Sequence, residues 1–123
     1  MCSATEHVHT AMKGLFSDLN IDALRRYFSE LHVPSGDIAP DHDLQHITPA
    51  VAEKLHYTLL HLLEDGDHVV AMSRIAGIYS GSEAAVVDVF RVEGSRIVEH
   101  WGVLRPYISH EPGNLEDFSL NQA

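Results

Sequence analysis

The segment from Ala84 to Leu104, AAVVDVFRVEGSRIVEHWGVL, constrains the fold more than any other part of the chain. Two runs rich in Val, Ile and Phe flank a Gly/Ser turn, which predicts an antiparallel hairpin. Both faces of the first run are largely apolar, as in a strand covered on both sides. A three-residue loop at Glu93, Gly94 and Ser95, with Ser95 left-handed, sets Val92 opposite Arg96, Asp88 opposite His100 and Val86 opposite Gly102. Side chains alternate along a strand, so Ala84, Val86, Asp88, Phe90, Val98, His100, Gly102 and Leu104 should share one face. Ala85, Val87, Val89, Ile97, Glu99, Trp101 and Val103 should form the other. A carboxylate among apolar neighbours has to be paired, hydrogen-bonded or protonated, and His100 is the nearest candidate partner for Asp88.

A chain of 123 residues with 45% hydrophobic content suits a single domain, 1–123, able to bury a real core. Its net charge of -10, from 8 basic and 18 acidic residues, disfavours nucleic acid as a partner because phosphates would be repelled. Cys2 is the only cysteine, so no internal disulfide can form and a reducing compartment is the simpler expectation. The first residues, MCSATEHVHTAM, lack a basic stretch followed by an apolar one, and no apolar run approaches membrane-spanning length. A cytoplasmic protein without a membrane partner is therefore expected.

Val8, Ala11, Met12, Leu15 and Leu19 recur at helical spacing, and Asn20 can cap a second helix carrying Ile21, Leu24, Phe28 and Leu31. Residues 32–47 hold two prolines, a glycine and three aspartates, which predicts a long irregular segment with at most one helical turn. Thr48 before Pro49 marks the start of a short third helix over Ala50 to Lys54. The period then changes to strands: Leu55 to Leu63, a turn at Glu64 to Asp67, His68 to Tyr79, a turn at Ser80 to Glu83, and the hairpin. The tail from Pro106, with Pro112 and Gly113, should pack loosely.

Helices followed by consecutive hairpins indicate an α+β domain in which helices cover one face of an antiparallel sheet. Val87, Val89, Trp101 and Val103 would leave an apolar patch on the other face, so a homodimer through that face is expected.

The order of two helices with Tyr27-Phe28, the HVPSG loop, the EDGD turn and the AVVDVFRVEGSRIVEHWGVL hairpin resembles the SnoaL-like polyketide cyclases of the nuclear transport factor 2-like superfamily. The resemblance spans most of the chain and is most specific in the last hairpin. It implies a cone-shaped α+β roll, with N-terminal helices on a strongly curved antiparallel sheet enclosing an apolar cavity, and a dimer across the outer sheet face. The superfamily holds cyclases, isomerases, epoxide hydrolases, dehydratases and binding proteins, so resemblance alone fixes no activity. In the cyclases a carboxylate follows the HW pair and acts as general base; Gly102 stands at that place here. Tyr27 matches a family tyrosine, and Glu30 lies about where the family carries a histidine.

Two functional classes follow. In the first, the protein binds an apolar small molecule, which the resemblance implies to be polyketide-like or a ketone, with Tyr27, Glu30, Met72, Val86, Phe90, Gly102 and Leu104 around the ligand and Asp88/His100 orienting its polar group. In the second, it is a cofactor-independent cyclase, isomerase or lyase with Asp88 as base, His100 as orienting or acid partner and Tyr27 as donor to an enolate. No cofactor is implied. His42 and His46 stand at i and i+4, a zinc-like spacing on a helix, but no third ligand is evident and the acidic, proline-punctuated context argues against a metal. His7 and His9 diverge on a helix, and His56 and His61 have opposite parity on a strand. Arg74 lies on the parity of His68, Val70, Met72 and Ala76, either entering the cavity, sitting at its rim, or held in a surface ion pair, the last favoured.

Overall fold

The computed structural model describes residues 4–18, 20–33 and 39–107. Helices α1 (Ala4–Ser17) and α2 (Ile21–Ser29) come first, then a short strand β1 (Leu31–His32), a 3₁₀ turn at Leu44–His46 and helix α3 (Pro49–Ala52). Four long strands follow, β2 (His56–Asp65), β3 (His68–Tyr79), β4 (Ser82–Glu93) and β5 (Arg96–Tyr107). They form one sheet in the order β1-β5-β4-β3-β2, antiparallel except for the parallel β1–β5 pair. The α+β reading is correct. Strand β1 was not foreseen: Leu31, read on the stripe of the second helix, and His32, the first residue read as irregular, form it instead, while Leu19, residues 34–38 and the tail from 108 lie outside the described residues.

Local chemistry accounts for the helix boundaries. The Asn20 side chain accepts from the Ala23 amide at 3.1 Å, and Thr48 accepts from the Val51 amide at 3.3 Å ahead of the first-turn Pro49. These caps satisfy amides that the first helical turn leaves without partners. Val8 and Met12 of α1, and Leu24, Tyr27 and Phe28 of α2, turn onto the sheet. They meet Val69, Ala71 and Ile75 of β3, Ala84, Val86, Phe90 and Val92 of β4, and Leu104 of β5 in one core. Ala11, placed on the α1 stripe by periodicity, is exposed, and Phe16 packs in its stead.

The last hairpin differs from its predicted register. The turn has two residues, Gly94 and Ser95, with Glu93 opposite Arg96, and Gly94 is left-handed at φ 60°. Primed two-residue turns demand such a conformation, which glycine adopts without steric cost. Val92 then pairs with Ile97 and Arg91 with Glu99, leaving Val98 as a bulge. The shorter turn moves the register by one residue and the bulge by one more. Parity beyond it is restored, but each partner is displaced by two: Phe90 faces His100, Asp88 faces Gly102 and Val86 faces Leu104. Ile97 packs against the core and Val98 is exposed, reversing their predicted faces.

The opposite sheet face carries Met72 opposite Val87 and Val89 opposite Trp101, with Val103 beside them. Met72 therefore lies across the sheet from Asp88, contrary to its expected place at the ligand. Trp101 is 57% exposed.

Candidate functional site

The centre of the inner face is a chain of four polar side chains. Helix α2 supplies Tyr27 and, at its C-terminal cap, Glu30; β4 supplies Asp88 and β5 supplies His100. Asp88 has no accessible surface and both its oxygens accept hydrogen bonds, Oδ2 from the Tyr27 hydroxyl at 3.0 Å and Oδ1 in a 2.7 Å contact with His100 Nε2. The other ring nitrogen, Nδ1, lies 2.7 Å from Glu30 Oε1. The His100 side chain is 7% exposed and that of Glu30 38%. The chain thus runs from a buried carboxylate to the surface. Tyr27 and Phe90 stack on the imidazole at centroid distances of 5.0 and 4.7 Å, which fixes the plane of the ring.

A neutral imidazole has one N–H, whereas both nitrogens here face carboxylate oxygens. The arrangement is satisfied when the ring carries two protons, or when one carboxyl carries the second. The titration tendencies agree with this proton-rich unit. Burial pushes Asp88 above its usual range, only partly offset by the bonds from His100 and Tyr27. Burial acts to lower His100, but the bonds to Asp88 and Glu30 outweigh it and raise the imidazole above its ordinary value. Burial, reinforced by the Asp88 charge, holds Tyr27 well above 10 and keeps it a donor.

This geometry redistributes the roles expected from sequence. Asp88 and His100 do share the inner face and do bond, across a diagonal rather than directly opposite. A substrate cannot reach Asp88, so its expected place as the proton-abstracting base does not fit, and the Tyr27 hydroxyl is committed to Asp88. Val86 and Phe90 are packed into the core, and Leu104 is equally buried while flooring a separate hollow with Phe28, Leu31 and Leu44. The open ground is beside Glu30. A hollow of ≈ 440 Å³ there is walled by Arg26, Glu30, Arg96, Ile97, Val98, Glu99 and His100.

Gly102 is small for a steric reason. A Cβ at that position would sit 2.5 Å from the Val87 carbonyl oxygen, 2.9 Å from a Leu31 methyl and 3.1 Å from Asp88 Oδ1. No side chain fits on this backbone, and the oxygen that a Cβ would crowd is the one bound to His100.

The remaining candidates separate from the site. Arg74 pairs with Glu83 at 2.8 Å opposite Ala85, a rim ion pair rather than a cavity group. His46 bonds Asp43 at 2.8 Å in a 3₁₀ turn, so the helical i, i+4 face supposed for His42 and His46 does not form. His56 and His61 lie opposite Ala76 and Met72, because a register shift between Leu59 and His61 cancels their opposite parity, yet Thr58 lies between them. Among the described residues no group of three His, Cys, Asp or Glu side chains could hold a metal ion. Sequence reasoning missed the inner pair Tyr57–Ser73, hydroxyl to hydroxyl at 2.7 Å, where burial pushes Tyr57 up to about 12. It also missed Arg26 and Arg96 on the hollow, although Arg26 precedes Glu30 by one helical turn, a spacing that places both on one side of α2.

Neither a family model nor a curated protein matches this chain. A solved structure described as an M. tuberculosis LEH-like epoxide hydrolase is similar at a TM-score of 0.46 and 16% identity, covering 82% of this chain and 81% of that one. No helix among the described residues is long and apolar enough to cross a membrane.

Proposed function

We propose that this chain takes a small carbonyl compound into the hollow beside Glu30 and moves a proton on it without a cofactor, as an isomerase, lyase or cyclase does. The observation that carries this reading is the imidazole held between two carboxylates, 2.7 Å from each, one fully buried and one open to the hollow. Of the four linked groups Glu30 is the most exposed, so it is the base that removes a proton from a carbon beside the carbonyl. The C–H electron pair moves into the carbonyl to give an enolate. As Glu30 accepts the proton, the Nδ1–H of His100 is released to bind the enolate oxygen. Asp88 holds the far nitrogen and Tyr27 holds Asp88; both are positioning residues. Return of the proton to a different carbon completes an isomerisation, and attack of the enolate carbon on a second carbonyl completes a ring closure.

The test is carbon-bound hydrogen exchange in D₂O, followed by proton NMR over a panel of enolisable ketones. The protein should accelerate loss of the α-proton signal, and Glu30→Gln and His100→Gln should each slow it by about 10²-fold or more. Absence of exchange with the unaltered protein, or equal exchange by Glu30→Gln, overturns the reading. Pure ligand binding is the second reading, favoured by the engagement of both imidazole nitrogens within the fold. Under it Glu30→Gln shifts affinity and no exchange occurs. Self-association through the outer sheet face belongs to the same proposal, supported by the exposure of Trp101 among Met72, Val87, Val89 and Val103.

A further inference from the structure

The charges around this hollow are not balanced in the way their number suggests. Two acids and two bases stand on its wall, Glu30, Glu99, Arg26 and Arg96. Both carboxylates already have a partner, Glu30 in His100 and Glu99 in Arg91. Neither Arg26 nor Arg96 has an ion-pair partner among the described residues. The hollow therefore offers two guanidiniums without an acidic partner among the described residues, in a chain whose net charge is -10. Guanidinium groups present planar forks that match a carboxylate with two parallel hydrogen bonds. Ile97 and Val98 add apolar wall, and ≈ 440 Å³ lies toward the lower end of the range for small-molecule sites.

We infer that Arg26 and Arg96 bind a carboxylate on the substrate, so that the molecule accepted at Glu30 and His100 is a small enolisable oxo acid. The oxo half of this statement rests on the proton-transfer reading above; the acid half rests on the two guanidiniums. The same two groups supply local attraction for an anion that the chain as a whole repels. Bound through its carboxylate, such a substrate places its apolar carbons along Ile97 and Val98 and its carbonyl toward the imidazole.

Levulinate and its methyl ester separate the two halves, because they share the enolisable ketone and differ in charge. Binding is measured on the full chain by amide chemical-shift titration, and exchange in D₂O is measured separately. Levulinate should bind at least tenfold more tightly than the ester. Arg26→Met/Arg96→Met should bring the ratio of the two affinities near one, and Arg26→Lys/Arg96→Lys should retain part of it. A preference below threefold, a preference that survives Arg26→Met/Arg96→Met, or no binding of either probe overturns the inference. Tighter binding of levulinate without exchange upholds the carboxylate site and removes the proton-transfer reading instead, so the two failures are distinguishable.

Discussion

Truncating Asp88 to alanine removes the carboxylate that Tyr27 and His100 share. The Tyr27 hydroxyl, itself buried, loses its partner at 3.0 Å, and His100 loses the 2.7 Å contact at Nε2. A buried donor left without an acceptor costs roughly 1–3 kcal/mol. His100 can shed a proton and keep its Nδ1–H on Glu30, so its share is smaller, about 1 kcal/mol for the stranded Nε2 lone pair. The vacated carboxylate volume adds a cavity contribution, giving about 3–5 kcal/mol in total, the range seen when one partner of a buried pair is removed. Asp88→Asn is the informative companion. Its carbonyl still accepts from Tyr27 and its NH₂ donates to a neutral His100, so every polar atom stays paired and the cost falls to about 1–2 kcal/mol, the charge-assisted part alone. Urea unfolding at pH 7 measures both, and a His100 side-chain NMR titration should show a lower pKa in Asp88→Asn than in the unaltered protein. Equal destabilisation by the two variants within 0.5 kcal/mol, or less than 1 kcal/mol for Asp88→Ala, refutes the placement of Asp88 at the centre of the network.

Two other outcomes are expected. His100 holds its proton more tightly folded than unfolded, so its contribution to stability is complete below its ordinary pKa of 6.5 and is lost as pH rises through the raised folded value. The raised Asp88 acts with the same sign. Stability measured from pH 6 to 9 should fall more steeply for the unaltered protein than for His100→Gln, by up to ~1.4 kcal/mol per pH unit; parallel profiles count against the proton-rich pair. Trp101→Asp places a charge in the apolar outer face and should yield monomers in sedimentation velocity, with unfolding little changed because the side chain is 57% exposed. An unaltered dimer locates the interface elsewhere.

The architecture was legible because its signals are local. Thr48-Pro49 and Asn20 state helix starts in chemistry that does not depend on the rest of the chain, and β3 ran over His68–Tyr79 as its composition indicated. The site was half legible. Parity along β4 and β5 placed Asp88 and His100 on one face, yet two errors in the hairpin, a turn one residue too long and an unseen bulge at Val98, cancelled in parity and survived in pairing. The glycine that marks one class of bulge is absent at Val98, so the extra residue left no signature in the sequence. Exposure was not legible at all: alternation says which side of a sheet a residue takes, but only the packing of α2 decides that Asp88 is sealed and Glu30 open. Met72 shows the same limit, because its strand was right and its face was not weighed against that of Ser73, which is fully buried on the inner side.

Gly102 and Asp88 are two halves of one solution. They face each other across β4 and β5, and Leu31 of the parallel strand β1 lies opposite Gly102 on the other flank. The close approach of the Val87 carbonyl and the Leu31 methyl leaves no volume for a side chain at 102. Of this facing pair, an acid can therefore be attached from β4 but not from β5, and there it projects over the bare backbone of Gly102. That projection brings Oδ1 diagonally to His100, one inward position away on β5, while Phe90 and Tyr27 hold the ring flat. Carried on β4 beneath α2, the carboxylate is buried and bonded to His100; the more exposed acid of the chain is Glu30, one helical turn from the tyrosine that seals Asp88 in.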